Sequence, residues 1–175
     1  VHLNDVQNTL MISGMSAWLD FVERERGRAI APNELEPMNH MIRREGVKVT
    51  GAEVAAALEA MHALGRHMGR FHEQYDVVLQ PVTATPAPPL GAIVFRAGDD
   101  LASYTQRFKR IAAFTHLYNM TGQPSMSVPM GMSSQGLPIG AMLSAAVGAD
   151  SLLLSLAAQL ERAQPWWNQR PPVGT

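Results

Sequence analysis

The residues of this chain able to carry nucleophilic chemistry are its serines and lysines, since it contains no cysteine. A serine hydroxyl attacks a carbonyl only when a nearby base takes its proton. Ser133 and Ser134 stand in Gly131-Met-Ser-Ser-Gln-Gly136, which has the composition of a Gly/Ser loop. That stretch joins two strand-like runs, so it is read as a hairpin turn and not as a nucleophile site. Two lysines are available as bases, Lys48 just before a helix and Lys109 on one. Lys109 is flanked by Arg107 and Arg110 and reads as part of a solvated face. Neither Gly-x-Ser-x-Gly nor Ser-x-x-Lys occurs.

His62, His67 and His72 recur at intervals of five on one helix, so successive rings are rotated by roughly 140°. Metal-binding pairs on helices use a spacing of four. The three are read as a polar face, and neither a metal nor another cofactor is expected. Asn119-Met-Thr121 matches a glycosylation sequon but, without a secretion signal, reads as a helix end and turn. Ligands in α/β folds gather at the carboxyl ends of strands. Gln80 and Thr83 lie at such an end and are candidates for a substrate-pocket rim; the alternative for Gln80 is a mere strand cap.

The elements that must position these residues follow from periodicity. Val6, Leu10, Met11, Met15, Trp18, Leu19 and Val22 recur at helical spacing, predicting a helix over about 4–26 that stops at Gly27. A second helix starts near Pro37 and ends before Gly46. Thr50-Gly-Ala-Glu53 has the form of a capping box opening a helix to about Glu73. Tyr75-Asp-Val-Val-Leu-Gln80 reads as a buried strand. From Pro81 to Asp100 the prolines and glycines predict a long irregular loop, usually a functional or covering one. A helix is expected from about Leu101 to Asn119, then strands at 125–130 and 138–146. A last helix spans 151–163 with Asp150 as its N-cap. The fold class is α/β, a mixed sheet with covering helices. The chain divides into a helical part (1–74), a strand with a long Pro-rich loop (75–100), and a helix, hairpin and helix (101–175).

Composition bounds the rest. A chain of 175 residues fits one domain. Charged residues make up 17%, against the usual ~25%, which suggests surface meant to be covered. Net charge is −1 and the arginines are scattered, so no nucleic-acid footprint is expected. No apolar run is long enough to span a bilayer, and the expected location is cytoplasmic. The eleven methionines read as flexible core filler. A start at Val1 rather than Met is expected of a cut or processed product.

Three runs then stand in order. The first is Tyr75-Asp-Val-Val-Leu-Gln-Pro81 with Ala87-Pro88 and Leu90-Gly91. The second is Phe114-Thr-His-Leu-Tyr-Asn-Met-Thr-Gly-Gln-Pro124 followed by Ser-Met-Ser-Val-Pro-Met-Gly131. The third is Gly136-Leu-Pro-Ile-Gly140 with a Leu-rich helix closing on Pro165-Trp166. Over about Asp76 to Pro171 they make the chain similar to the C-terminal part of the amidase signature family. The resemblance implies amide hydrolysis through an acyl-serine, by two serines and a lysine, with backbone N–H groups of a Gly/Ser-rich loop stabilising the oxyanion; this sequence lacks the family's Gly-Gly-Ser-Ser loop. No catalytic residue is therefore assigned here. It implies that Trp18 lines an acyl site, with a core anchor as the alternative. It also implies that the partners are the N-terminal remainder of the same enzyme and a small amide substrate. A non-catalytic assembly module and an amidotransferase A-type subunit stand as alternatives. The bare chain is expected to form homo-oligomers through exposed sheet edges.

Overall fold

A computed structural model of the chain describes residues 3–96 and 98–168. Val1, and the far end of the resembling region at Pro171, lie outside them. Helix α1 (Leu3–Arg26) stops where Gly27 takes a left-handed φ of 64°. Helix α2 (Pro37–Gly46) opens on proline, whose missing N–H costs nothing at that position. Helix α3 (Gly51–Phe71) carries the expected capping box. The Glu53 N–H donates to Thr50 Oγ1 at 3.2 Å, and the Thr50 N–H donates to Glu53 Oε2 at 2.8 Å.

The helices α1 and α2 cross closely because position 46 is glycine. A Cβ there would lie 2.2 Å from the Ile12 carbonyl oxygen and 2.8 Å from Ser16 Cβ. Around this crossing Ile12, Met41 and Ile42 form a buried cluster. Arg43 fastens its polar side, donating to Glu23 at 2.6 and 2.9 Å and to Asp20 at 2.7 Å.

Strand β1 (Val77–Pro81) leads into the long loop, which among its described residues contains no helix or strand before helix α4 (Leu101–Lys109). Asp100 and Ser103 cap α4 reciprocally, each side chain accepting from the other's N–H at 2.8 and 3.1 Å. The single helix expected over 101–119 is in fact two, α4 and α5 (His116–Thr121). Between them the Ile111 carbonyl accepts from the Ala84 N–H of the long loop at 3.0 Å, so it is lost to the helical ladder. Helix α5 ends at Gly122, with φ 71°, which places Asn119-Met-Thr121 in a helix end and turn.

Strands β2 (Ser125–Met132) and β3 (Pro138–Ala145) form the expected hairpin. The sheet order is β1-β3-β2, and both pairings are antiparallel; the mixed character expected of the sheet has no parallel pair among the described residues. Met130 is the extra residue of a bulge between Pro129 and Gly131. Helix α6 (Asp150–Ala163) covers β2 and β3, and Leu153 packs with Val128, Leu143 and Ala145. Asp150 is the first helical residue and not the cap. Ala149 occupies that place, its carbonyl accepting from Leu153 N–H at 3.3 Å. An acidic first turn still suits the positive end of the helix.

Candidate functional site

The end of β1 is held to α5 by side chains. Half-buried Gln80 donates from Nε2 to the hydroxyl of buried Tyr118 at 2.9 Å. Beyond it Thr83 turns the loop, its hydroxyl donating to the Thr85 carbonyl at 2.7 Å. Thr83, Thr85 and Pro86 face Pro138, Ile139 and Gly140 across a cleft of about 140 Å³. Gly140 on the cleft wall packs too tightly for a side chain: a Cβ there would lie 2.8 Å from Ser127 Oγ and 3.1 Å from Val82 Cγ2. Neither Gln80 nor Trp18 lines this cleft. Trp18 is 57% exposed on α1, so it anchors no core. The structure thus puts Gln80 and Thr83 on one strand end and leaves Trp18 apart on a helix surface.

Ser133 belongs to a turn. Its hydroxyl oxygen accepts from the N–H groups of Gln135 and Leu137 at 3.2 and 3.1 Å, and Gly136 completes the turn with φ 75°. Lys48 is engaged by Glu45 at 2.6 Å. No group of three or more metal-ligating side chains gathers among the described residues, and His72 closes the end of α3 by bonding the Tyr75 carbonyl through Nδ1 at 2.7 Å.

One concave site was not visible in the sequence. A cavity of about 250 Å³ opens between α1, α2, α4 and α5, walled by Met11, Met38, Ile42, Tyr104, Phe108 and His116. Lys109, read from the sequence as part of a solvated face, is half-buried on this wall. His116 is only 8% exposed. Burial, and secondarily the charge of Lys109, hold its imidazole below the ordinary 6.5, which favours the neutral ring. The break after α4 brings His116, at the start of α5, against Phe108 near the end of α4, with ring centroids 6.2 Å apart, on the cavity wall. Nothing in Arg110–Thr115 announces that break.

The chain matches the family model described as Amidase over residues 3–154. It belongs to the Amidase family. It is 34% identical over 152 residues to the 6-aminohexanoate-cyclic-dimer hydrolase of Paenarthrobacter ureafaciens, a match covering 84% of this chain and 31% of that protein. A solved structure of 6-aminohexanoate cyclic dimer hydrolase superposes with a TM-score of 0.85 at 29% identity, over 96% of this chain and 36% of the other. A glutamyl-tRNA(Gln) amidotransferase structure from Thermotoga maritima shares the fold at 21% identity, with a TM-score of 0.54 over 95% of this chain and 34% of that one. The Amidase-family chain thus spans about a third of the length of the curated relatives it matches. The partial amidase signature fold is the one its three runs suggested.

Proposed function

We propose that this chain is the C-terminal part of an amidase that hydrolyses a carboxamide through an acyl-serine intermediate. The nucleophile, the bridging serine and the lysine base would belong to an N-terminal remainder of the same enzyme. One observation carries the reading: residues 3–154 match the Amidase family, yet the aligned stretch is 31% of a hydrolase relative. Ser133, in the single stretch resembling a Gly/Ser loop, has its oxygen committed to two backbone N–H groups, which supports assigning it no catalytic role. This segment would then supply sheet strands, covering helices and a pocket wall at Gln80 and Thr83, with Trp18 facing the acyl side. Its place would be the cytoplasm; no described helix is long and apolar enough to cross a membrane. Similarity to a hydrolase in both sequence and structure favours hydrolysis over the amidotransferase branch, where the likeness is one of fold.

The test is amine release from 6-aminohexanoate cyclic dimer and from simple carboxamides. The chain alone should give none, and adding the N-terminal remainder should restore it. Hydrolysis by the chain alone that disappears in S133A or S134A would overturn the proposal.

A further inference from the structure

We propose that the cavity between α1, α2, α4 and α5 binds an arylalkyl monocarboxylate, its ring against the aromatic wall and its carboxylate toward Lys109. The proposal goes beyond the amide-hydrolase reading and does not depend on it. Size comes first. A dry cavity of about 150 Å³ is enough for benzene, so about 250 Å³ leaves room for a ring with a short tail.

Shape comes next. Tyr104, Phe108 and His116 form a rank of nearly parallel rings, with centroids 6.3 and 6.2 Å apart and planes 18° and 25° from parallel. Offset rings at such distances are the arrangement aromatic neighbours prefer, so one more ring extends the rank at little cost. The thioethers of Met11 and Met38, also lining the cavity, are suited to ring edges.

Charge decides the head group. Among the described residues lining the cavity, Lys109 is the one that is formally charged and none is a carboxylate. Nearby Arg107 is already matched by Asp99 and lies 5.9 Å from the Tyr104 ring centroid. Asp5 lies on a neighbouring cleft that Lys109 also borders. The Asn4, Gln7 and Asn8 amides at the α1 side add uncharged polar groups. An anion is therefore favoured over a cation of the same shape.

Equilibrium dialysis of the chain against 3-phenylpropionate, 3-phenylpropanamide and 3-phenylpropylamine tests this. The carboxylate should bind saturably and about tenfold more tightly than the amine, the scale a partly buried charge contact sets. The carboxylate should also shift the methyl resonances of Met11 and Met38. K109M should bring the carboxylate and the amide to similar affinity. Thr105→Trp and, from the other helix, Met11→Trp should each fill the cavity and remove binding while leaving the circular dichroism unchanged. No saturable binding, an amine as tight as the carboxylate, or binding that survives both tryptophan variants would overturn the proposal.

Discussion

Gln80 and Tyr118 meet at 2.9 Å, amide nitrogen to phenolic oxygen, although 38 positions separate them in the chain. This bond fixes where β1 ends relative to α5, and so fixes the loop that leaves the strand. Tyr118→Phe keeps the buried ring and deletes the acceptor, leaving the Gln80 amide without its partner. Loss of one such bond costs about 1 kcal/mol, which should lower Tm by about 2–4 °C in a chain of this size. Thermal melts of the two proteins check this, and an unchanged Tm would show that the bond does not hold the strand end.

Two glycines should respond oppositely to alanine. At Gly46 the new Cβ would meet the Ile12 carbonyl at 2.2 Å, so G46A should force α1 and α2 apart. Overpacking of this kind costs about 1–3 kcal/mol. Gly14 lies within α1 with nothing within 4 Å of an added Cβ, so G14A should stabilise by about 0.5–1 kcal/mol through the unfolded chain and helix propensity. Urea midpoints measured side by side separate the two signs.

Acid should weaken the protein through two half-buried carboxylates. The Arg43 hydrogen bond, aided by the Ile30 N–H, holds Glu23 down to about 2 from 4.5. The Arg107 hydrogen bond, aided by the Arg96 N–H, holds Asp99 down to about 2 from 3.8. A folded pKa below the unfolded one contributes stability that is fully present above the unfolded value and lost as pH falls toward the folded value. Tm should therefore fall between pH about 4.5 and about 2. In E23Q/D99N that fall should be shallower, as melts across the range would show.

The bare chain should self-associate. Strands β1 and β2 each have one neighbour among the described residues, and Leu79 on β1 is 66% exposed. Open edges with apolar side chains invite pairing with another copy. Light scattering at increasing concentration should report dimers or larger species, reduced by Leu79→Lys. A monodisperse monomer at high concentration would refute the expectation.

Local chemistry made much of this fold legible. The Thr50/Glu53 box, the Pro37 start and the Gly27 stop each act within a few residues, and each stands where the sequence put it. The break between α4 and α5 was hidden because Arg110–Thr115 carries neither glycine nor proline. It is made from outside, by the Ala84 N–H on the Ile111 carbonyl. The place of Lys109 on the cavity wall was hidden because α1, α2 and His116, all beyond its own helix, form the rest of that wall. The strand-end rim was legible for Gln80 and Thr83 as neighbours in sequence. That Gln80 would spend its amide on Tyr118 was not.

The same Ala84–Ile111 bond bears on how freely the chain can vary. It pins the long loop just after β1, while the Asp100/Ser103 cap pins its other end, so the stretch between them is a closed span with fixed feet. The entropy of closing such a span grows only with the logarithm of its length, about 0.6 kcal/mol per doubling. Added residues near fully exposed Leu90 should therefore cost the fold little. The loop can lengthen or change composition while both of its feet stay in place, a separation of variable surface from fixed scaffold built by one backbone hydrogen bond.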